Sequence, residues 1–149
     1  MIIISPYAKQ RRNGKINPKN YPYWEELLQM LSDECDIIQV GMNNEIQMVD
    51  DFRTNLSITE LSDLISKCKT WISIDSFFQH LGWYVGKQGV VIFSQSDPKI
   101  FGHNENINLL KSRNYLRENQ FWNWEDVEYK IDSFIECKII FDIVIKIIQ

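Results

Sequence analysis

The sequence has little of what usually marks disulfide-bonded or metal-bound proteins. Its three cysteines, Cys35, Cys68 and Cys137, are far apart, odd in number and form no CxxC pair. This usage is typical of a reducing compartment, so we expect a cytoplasmic protein without disulfides. The two histidines, His80 and His103, have no cysteine nearby. We therefore expect no zinc or other metal site.

Long apolar runs and an excess of positive charge are also missing. The run Ile139–Ile148 is interrupted by Asp142 and Lys146, and it is far shorter than the roughly 20 apolar residues of a membrane helix. We expect no transmembrane segment. The net charge is −4, which argues against nucleic-acid binding, because that needs a cationic surface. There is no GxGxxG, Walker loop or GxSxG elbow.

One stretch departs from the acidic balance of the chain. Between Lys9 and Lys19 the sequence has five basic residues and no acidic one. They are Lys9, Arg11, Arg12, Lys15 and Lys19. The stretch is either a small anion site or a solvated basic loop, and its composition alone favours the loop.

Apolar patterns predict strands and helices in alternation. The predicted strands are Ile2–Ile4, Ile37–Val40, Thr70–Ile74 and Gly89–Phe93. Three helices are predicted. One is centred on Leu27, one begins at the capping box of Ser57 and Glu60, and one runs from Phe78 to a cap at Gly86. This order predicts an α/β fold: one domain over 1–149, with a doubly wound, mostly parallel sheet and helices on both faces.

Two segments are less regular in pattern. Residues 43–52 read as a loop or a short helix. Residues 103–130 predict an irregular, aromatic-rich segment, whose Phe121-Trp122-Asn123-Trp124 cluster belongs to a core or interface, or else stacks on a base or sugar. Residues 132–149 predict a closing helix, with a strand as the alternative because of the β-branched content.

The junction Ile74-Asp75-Ser76 is the sharpest candidate site. A strand brings Asp75 to the sheet edge where ligands bind in open α/β folds. Ser76 stands where a helix begins, and the free amides there suit a phosphate. His80 lies one turn further along the same face. The alternative is that Ser76 is an ordinary N-cap.

Several motifs around this junction occur in a recognisable order. They are Ile74-Asp75-Ser76, His80-Leu81-Gly82-Trp83, Gly86-Lys87-Gln88 and Phe93-Ser94-Gln95-Ser96-Asp97-Pro98. Near the start, Ile4-Ser5-Pro6 leads through Arg12, Lys15 and Pro18 to Trp24-Glu25-Glu26-Leu27. From Ile2 to His103 the sequence resembles the nucleotide-sugar-binding half of GT-B glycosyltransferases of the heptosyltransferase type, glycosyltransferase family 9.

This resemblance implies a Rossmann-like domain and a set of binding residues. Asp75 would contact the donor sugar, and Ser76 with the following amides would hold a phosphate. Lys15, together with Arg12, would neutralise the diphosphate, and His80 would support the site. Ser5 belongs to the matching phosphate loop, and Glu45 falls near the nucleoside position. The nucleotide sugar would be a substrate, and no cofactor is implied.

The sequence also departs from the family pattern. Phe77 stands where the family has glycine, and Gly82 and Trp83 replace small helix residues. The family's acceptor domain and general base have no counterpart in this chain, so no catalytic residue is assigned. Three functions stay open. The first is half of an inverting transferase that works with a partner domain or as a homo-oligomer. The second is a non-catalytic nucleotide-sugar-binding module. The third is an interaction protein on a degenerate fold.

Overall fold

The structure is a computed structural model that describes residues 1–122 and 126–149. Asn123 and Trp124 of the predicted aromatic cluster lie outside these residues. The strands are β1 (Ile2–Ser5), β2 (Ile37–Gly41), β3 (Asp51–Thr54), β4 (Trp71–Ile74), β5 (Val90–Phe93) and β6 (Ile107–Leu110). The helices are α1 (Trp24–Ser32), α2 (Ile58–Lys67), α3 (Phe77–Tyr84), α4 (Pro98–Phe101) and α5 (Cys137–Ile148).

All six strands form one parallel sheet in the order β3-β2-β1-β4-β5-β6. This is the Rossmann order, in which the chain moves outward from β1 to one edge and then crosses to the other side. The predicted doubly wound fold is confirmed. The direction of winding reverses between β1 and β4, where Ser5 pairs with Ser73. A crevice at the carboxyl ends of these two strands is the usual ligand position.

Side-chain alternation along the strands divides the core into two layers. On one face, Ile2 and Ile4 of β1 pack in the core with α1 and α5. On the other face, Ile3 packs in the core with α2 and α3. Strands buried on both faces explain the continuous apolar runs of β1 and β5.

Local signals fix the helix that follows β3 and the turn that follows α3. The Ser57 hydroxyl accepts a hydrogen bond from the Glu60 amide, and the Glu60 carboxylate accepts one from the Ser57 amide, so the predicted capping box is present. Gly86 follows α3 with a φ of +79°. This left-handed conformation suits glycine and ends the helix as predicted.

The structure differs from the sequence-based expectations in three places. The segment 43–52 was expected to be a loop or short helix, but Asp51 and Phe52 begin the edge strand β3. The segment 103–130 was expected to be irregular, but it contains the opposite edge strand, β6. The closing helix begins at Cys137 rather than at residue 132, after a separate 3₁₀ turn at Ile131–Ser133.

The crossover from β2 to β3 explains the first difference. A parallel crossover usually contains a helix, whereas residues 42–50 make this one without any regular element. The fully buried Gln39 side chain donates to the Ile46 carbonyl at 2.8 Å and accepts from the Met48 amide at 2.7 Å. These bonds replace the helix in holding the crossover against the core.

Candidate functional site at the β1–β4 crevice

The Asp75 carboxylate is the centre of the candidate site. It follows β4 at the crevice and is only 5% exposed. Lys19 Nζ lies 2.9 Å from Asp75 Oδ2, and Gln79 Nε2 donates to Asp75 Oδ1 at 2.7 Å. Because Lys19 belongs to the loop after β1 and Gln79 to α3, the site joins the two halves of the sheet.

Buried polar atoms around Asp75 retain unused hydrogen-bonding capacity. Ser73 Oγ, Ser76 Oγ and Gln79 Oε1 have no hydrogen-bond partner among residues 1–122 and 126–149, and Asp75 Oδ2 makes the ion pair with Lys19 but no hydrogen bond there. The orientation of the Gln79 amide is fixed, because only its nitrogen can donate to the Asp75 carboxylate. Buried polar atoms are normally paired, so this group is suited to a polar ligand or to water.

The N-terminus of α3 opens into the same region. Ser76 is its N-cap in an extended conformation, but its side chain makes no capping hydrogen bond. The alternative of an ordinary side-chain cap is therefore not what the structure contains. The first amides of a helix carry partial positive charge and lack internal partners. Phe77, the departure from the family glycine, is 60% exposed at the first helical position.

Arg117 adds a second positive charge near Asp75. Its guanidinium donates to Ser96 Oγ at 2.7 Å and to the Gln120 carbonyl at 2.6 Å, which ties it to the loop after β5. Burial lowers the pKa of Arg117, and the charge of Asp75 raises it. Arg117 lies in the segment expected to be irregular, and no sequence pattern predicts its position.

His80 is paired with a histidine that the sequence did not connect to it. His80 Nδ1 lies 2.7 Å from His103 Nε2, and the Trp83 ring stacks on His103 with centroids 4.3 Å apart. One ring nitrogen must donate and the other accept. Burial and the neighbouring His103 lower the pKa of His80; Asp75 raises it and Lys19 lowers it further. His80 is therefore electrostatically coupled to the site, but its hydrogen-bond partner is His103.

The basic loop divides its cations between two environments. Arg12 and Lys15, the residues expected to meet the diphosphate, are exposed. Arg11 is buried and donates to the Val127 carbonyl. Lys19 is the loop residue that the structure brings to Asp75. The basic composition was visible in the sequence, but which cation reaches the crevice depends on how the loop folds.

Ser5 and Glu45 lie at neighbouring strand ends. Ser5 is half-buried as the last residue of β1. Glu45 folds back over Gly41 at the end of β2, so closely that a Cβ at Gly41 would overlap its carboxylate. Burial raises the pKa of Glu45, while a hydrogen bond from the Met42 backbone lowers it. Burial, and to a smaller extent the charge of Glu45, raises the pKa of Tyr7.

A broad cavity lies elsewhere, between α1 and the start of β3. Its lining includes four carboxylates, those of Glu25, Asp36, Asp50 and Asp51, with Arg53 as the opposing charge. None of the predicted site residues contributes to it. The acidic lining makes this cavity unsuitable for a diphosphate.

Among residues 1–122 and 126–149, no group of three or more His, Cys, Asp and Glu side chains is placed to hold a metal ion. No described helix is both long and apolar enough to cross a membrane.

Comparison with solved structures gives the same fold. The glycosyltransferase family 9 protein of Veillonella parvula matches with a TM-score of 0.71, 15% identity, and coverage of 99% of this chain and 45% of that chain. The E. coli heptosyltransferase WaaC, solved with ADP, matches with a TM-score of 0.67 and 13% identity. The match covers 98% of this chain and 43% of the WaaC chain. E. coli ADP-heptose lps heptosyltransferase II matches with a TM-score of 0.58, 16% identity, and coverage of 99% and 44%.

These likenesses cover less than half of each solved chain. No curated protein matches the sequence significantly. The sequence does match the family described as glycosyltransferase family 9 (heptosyltransferase) over residues 1–130. That match spans most of the chain, so this protein belongs to glycosyltransferase family 9.

Proposed function

We propose that the β1–β4 crevice binds the diphosphate of a nucleotide sugar, and that the chain acts as one nucleotide-sugar-binding domain of a sugar transferase. The observation that carries the proposal is the meeting of Lys19, Asp75 and the uncapped N-terminus of α3 at the point where the winding reverses. Lysine and helix amides bind phosphate, whereas a carboxylate binds sugar hydroxyls.

The residues implied by the family resemblance would surround this centre. Ser5 and Ser76 would contact phosphate oxygens, and the exposed Arg12 and Lys15 would approach the diphosphate from the loop. Asp75 would accept from the donor sugar. Glu45, at the end of β2, would lie on the nucleoside side, and His80 would support α3 through its contact with His103.

Transfer itself would need an acceptor site and a general base. An inverting transfer requires a base that removes the proton of the acceptor hydroxyl, and no side chain at the crevice is assigned that role. Because the chain spans less than half the length of its solved relatives, we propose that a separate acceptor-binding domain or a second copy completes the enzyme. Binding without turnover is the alternative, and it uses the same site.

An interaction role is the remaining alternative. It is favoured by exposed aromatic side chains, since Phe77, Phe121 and Trp122 are each at least 60% exposed, and such residues are common in interfaces. Size measurement in solution separates this role from the others. A strict monomer that binds nucleotide argues against it, whereas a stable oligomer without nucleotide binding supports it.

Thermal unfolding with a panel of nucleoside diphosphates and nucleotide sugars tests the proposal. A ligand at about 100 times its Kd adds roughly 2.7 kcal/mol to the free energy of unfolding, which raises Tm by roughly 5–10 °C at this size. Lys15→Ala should reduce the shift for all ligands that bind, and Asp75→Ala should remove the extra shift that a nucleotide sugar gives over its diphosphate.

Lys67→Ala is the matched control. Lys67 is an exposed α2 residue paired with Asp63, so its removal changes the charge equally without touching the crevice. No shift with any nucleotide, in a protein that unfolds cooperatively, overturns the proposed function. A shift that Lys67→Ala reduces as much as Lys15→Ala would show that only net charge matters.

A further inference from the structure

Both oxygens of the Asp75 carboxylate are in contact with neighbouring side chains. Asp75 Oδ1 accepts from Gln79 and Oδ2 is paired with Lys19, and the side chain is only 6% exposed. An ionised carboxylate can accept more than two hydrogen bonds, but this one is nearly enclosed, so a sugar hydroxyl gains access to it when one of the two partners moves aside. Gln79 is fully buried within α3, whereas the Lys19 side chain is partly exposed, so Lys19 is the partner that can move.

We propose that Lys19 exchanges Asp75 for the diphosphate of the ligand, and that this exchange frees Asp75 for the donor sugar. The inference rests on the proposed function and deepens it. Lys19 is then a binding residue that controls the order of recognition: the diphosphate binds first, and only then does Asp75 accept a hydroxyl.

The position of Lys19 permits the exchange. Its side chain is 25% exposed, so part of the side chain meets solvent while Nζ contacts Asp75. Lysine carries three donors on a flexible stem and does not hold a carboxylate with the fixed geometry of an arginine fork. A diphosphate has more negative charge than one carboxylate, and it approaches from the wet side, whereas Asp75 is held in place by Gln79.

The exchange also couples the two halves of the ligand. Once Lys19 has turned to phosphate, a buried carboxylate is left with one hydrogen bond, and such groups bind donors strongly. A sugar hydroxyl provides that donor. The site therefore selects sugars attached to a diphosphate and discriminates against free sugars, which cannot displace an ammonium group.

Titration calorimetry with inorganic pyrophosphate and with ADP tests the exchange, because neither probe carries a sugar. In Asp75→Asn, Lys19 no longer has a competing carboxylate, so both probes should bind about threefold tighter or better. Lys19→Met should bind them more weakly than the natural protein. In the double variant the gain from Asp75→Asn should disappear, because it acts through Lys19.

Asp51→Asn is the charge-matched control. Asp51 starts β3 in an exposed pair with Arg53, so this variant removes one negative charge without altering the crevice and should bind as the natural protein does. If Asp75→Asn does not fold, Asp75→Ser serves in its place. A cooperative unfolding transition shows that each Asp75 variant is folded.

The outcomes separate the exchange from the function on which it rests. Equal or weaker binding of pyrophosphate by Asp75→Asn, with binding by the natural protein intact, overturns the exchange and leaves the proposed function standing. Tighter binding that persists in the double variant also overturns it, because the gain would then not depend on Lys19. Absence of binding by every variant overturns both proposals.

Discussion

The contact between α3 and Trp71 provides a sharp test of how the site-bearing helix is held. The Trp71 indole is fully buried, donates to the Lys87 carbonyl at 2.8 Å, and meets Phe78 edge-on with centroids 5.4 Å apart. A Cβ added at Gly82 would lie 2.5 Å from two carbons of this ring. Because ordinary Cβ contacts begin near 3.4 Å, Gly82→Ala requires α3 or the indole to move by about 0.9 Å.

Two opposing effects determine the outcome. Replacing glycine by alanine inside a helix normally stabilises it by about 1 kcal/mol. Forcing extra volume into a packed core costs about 1–3 kcal/mol. Because the Trp71 indole is held by its hydrogen bond to the Lys87 carbonyl, we expect a cost at the upper end of this range. We therefore expect Gly82→Ala to lower the free energy of unfolding by about 1–2 kcal/mol in urea denaturation, against the direction of helix propensity.

A double-mutant cycle identifies the cause. In a Trp71→Phe background the ring is smaller and the Lys87 bond is lost, so the cost of Gly82→Ala should fall by at least about half. An unchanged cost in that background would refute the packing argument, and so would a stabilised Gly82→Ala single variant.

Three other variants test the polar contacts around the site. Gln79→Leu removes the hydrogen bond to buried Asp75, and should lower the free energy of unfolding by about 1–3 kcal/mol in urea; no loss would contradict the placement of that bond. Burial raises the pKa of Glu45, so its folded state favours the protonated form, and stability is lost as pH rises through the folded pKa. Glu45→Gln should therefore be more stable than the natural protein at pH 7 but not near pH 3, as followed by Tm; an advantage that persists at pH 3 would point to another cause. The pKa of His80 is lowered by burial and His103, so stability is present above the unfolded pKa of about 6.5 and is lost as pH falls through the folded pKa. His80→Asn should flatten the decline of Tm between pH 7 and pH 5, and an unchanged decline would contradict this coupling.

Much of the fold could be predicted because its signals are local. The capping box of Ser57 and Glu60 involves residues three apart, and the apolar runs of β1 and β5 indicate strands covered on both faces. The edge strands β3 and β6 carry no such signal. The residues of β3 alternate between exposed and half-buried, and those of β6 are all half-buried. In addition, β3 follows a crossover held by the buried side chain of Gln39, and no periodic pattern in the sequence indicates that contact.

The candidate site was predicted in outline but not in its contacts. Asp75 and Ser76 follow from a strand meeting a helix, which the sequence displays. The choice of Lys19 rather than Lys15 as the cation beside Asp75 depends on the path of an irregular loop. The pairing of His80 with His103 likewise joins residues from separate elements, and Arg117 lies in a segment that has no periodic pattern.

The most direct test of the central claim is an amide NMR titration of the protein with ADP. The account predicts that the largest shift changes occur at the first amides of α3, from Phe77 to Gln79, and in the loop between Ser5 and Lys19. Shift changes confined to the acidic cavity around Asp36 and Arg53, or no changes at millimolar ADP, would contradict it.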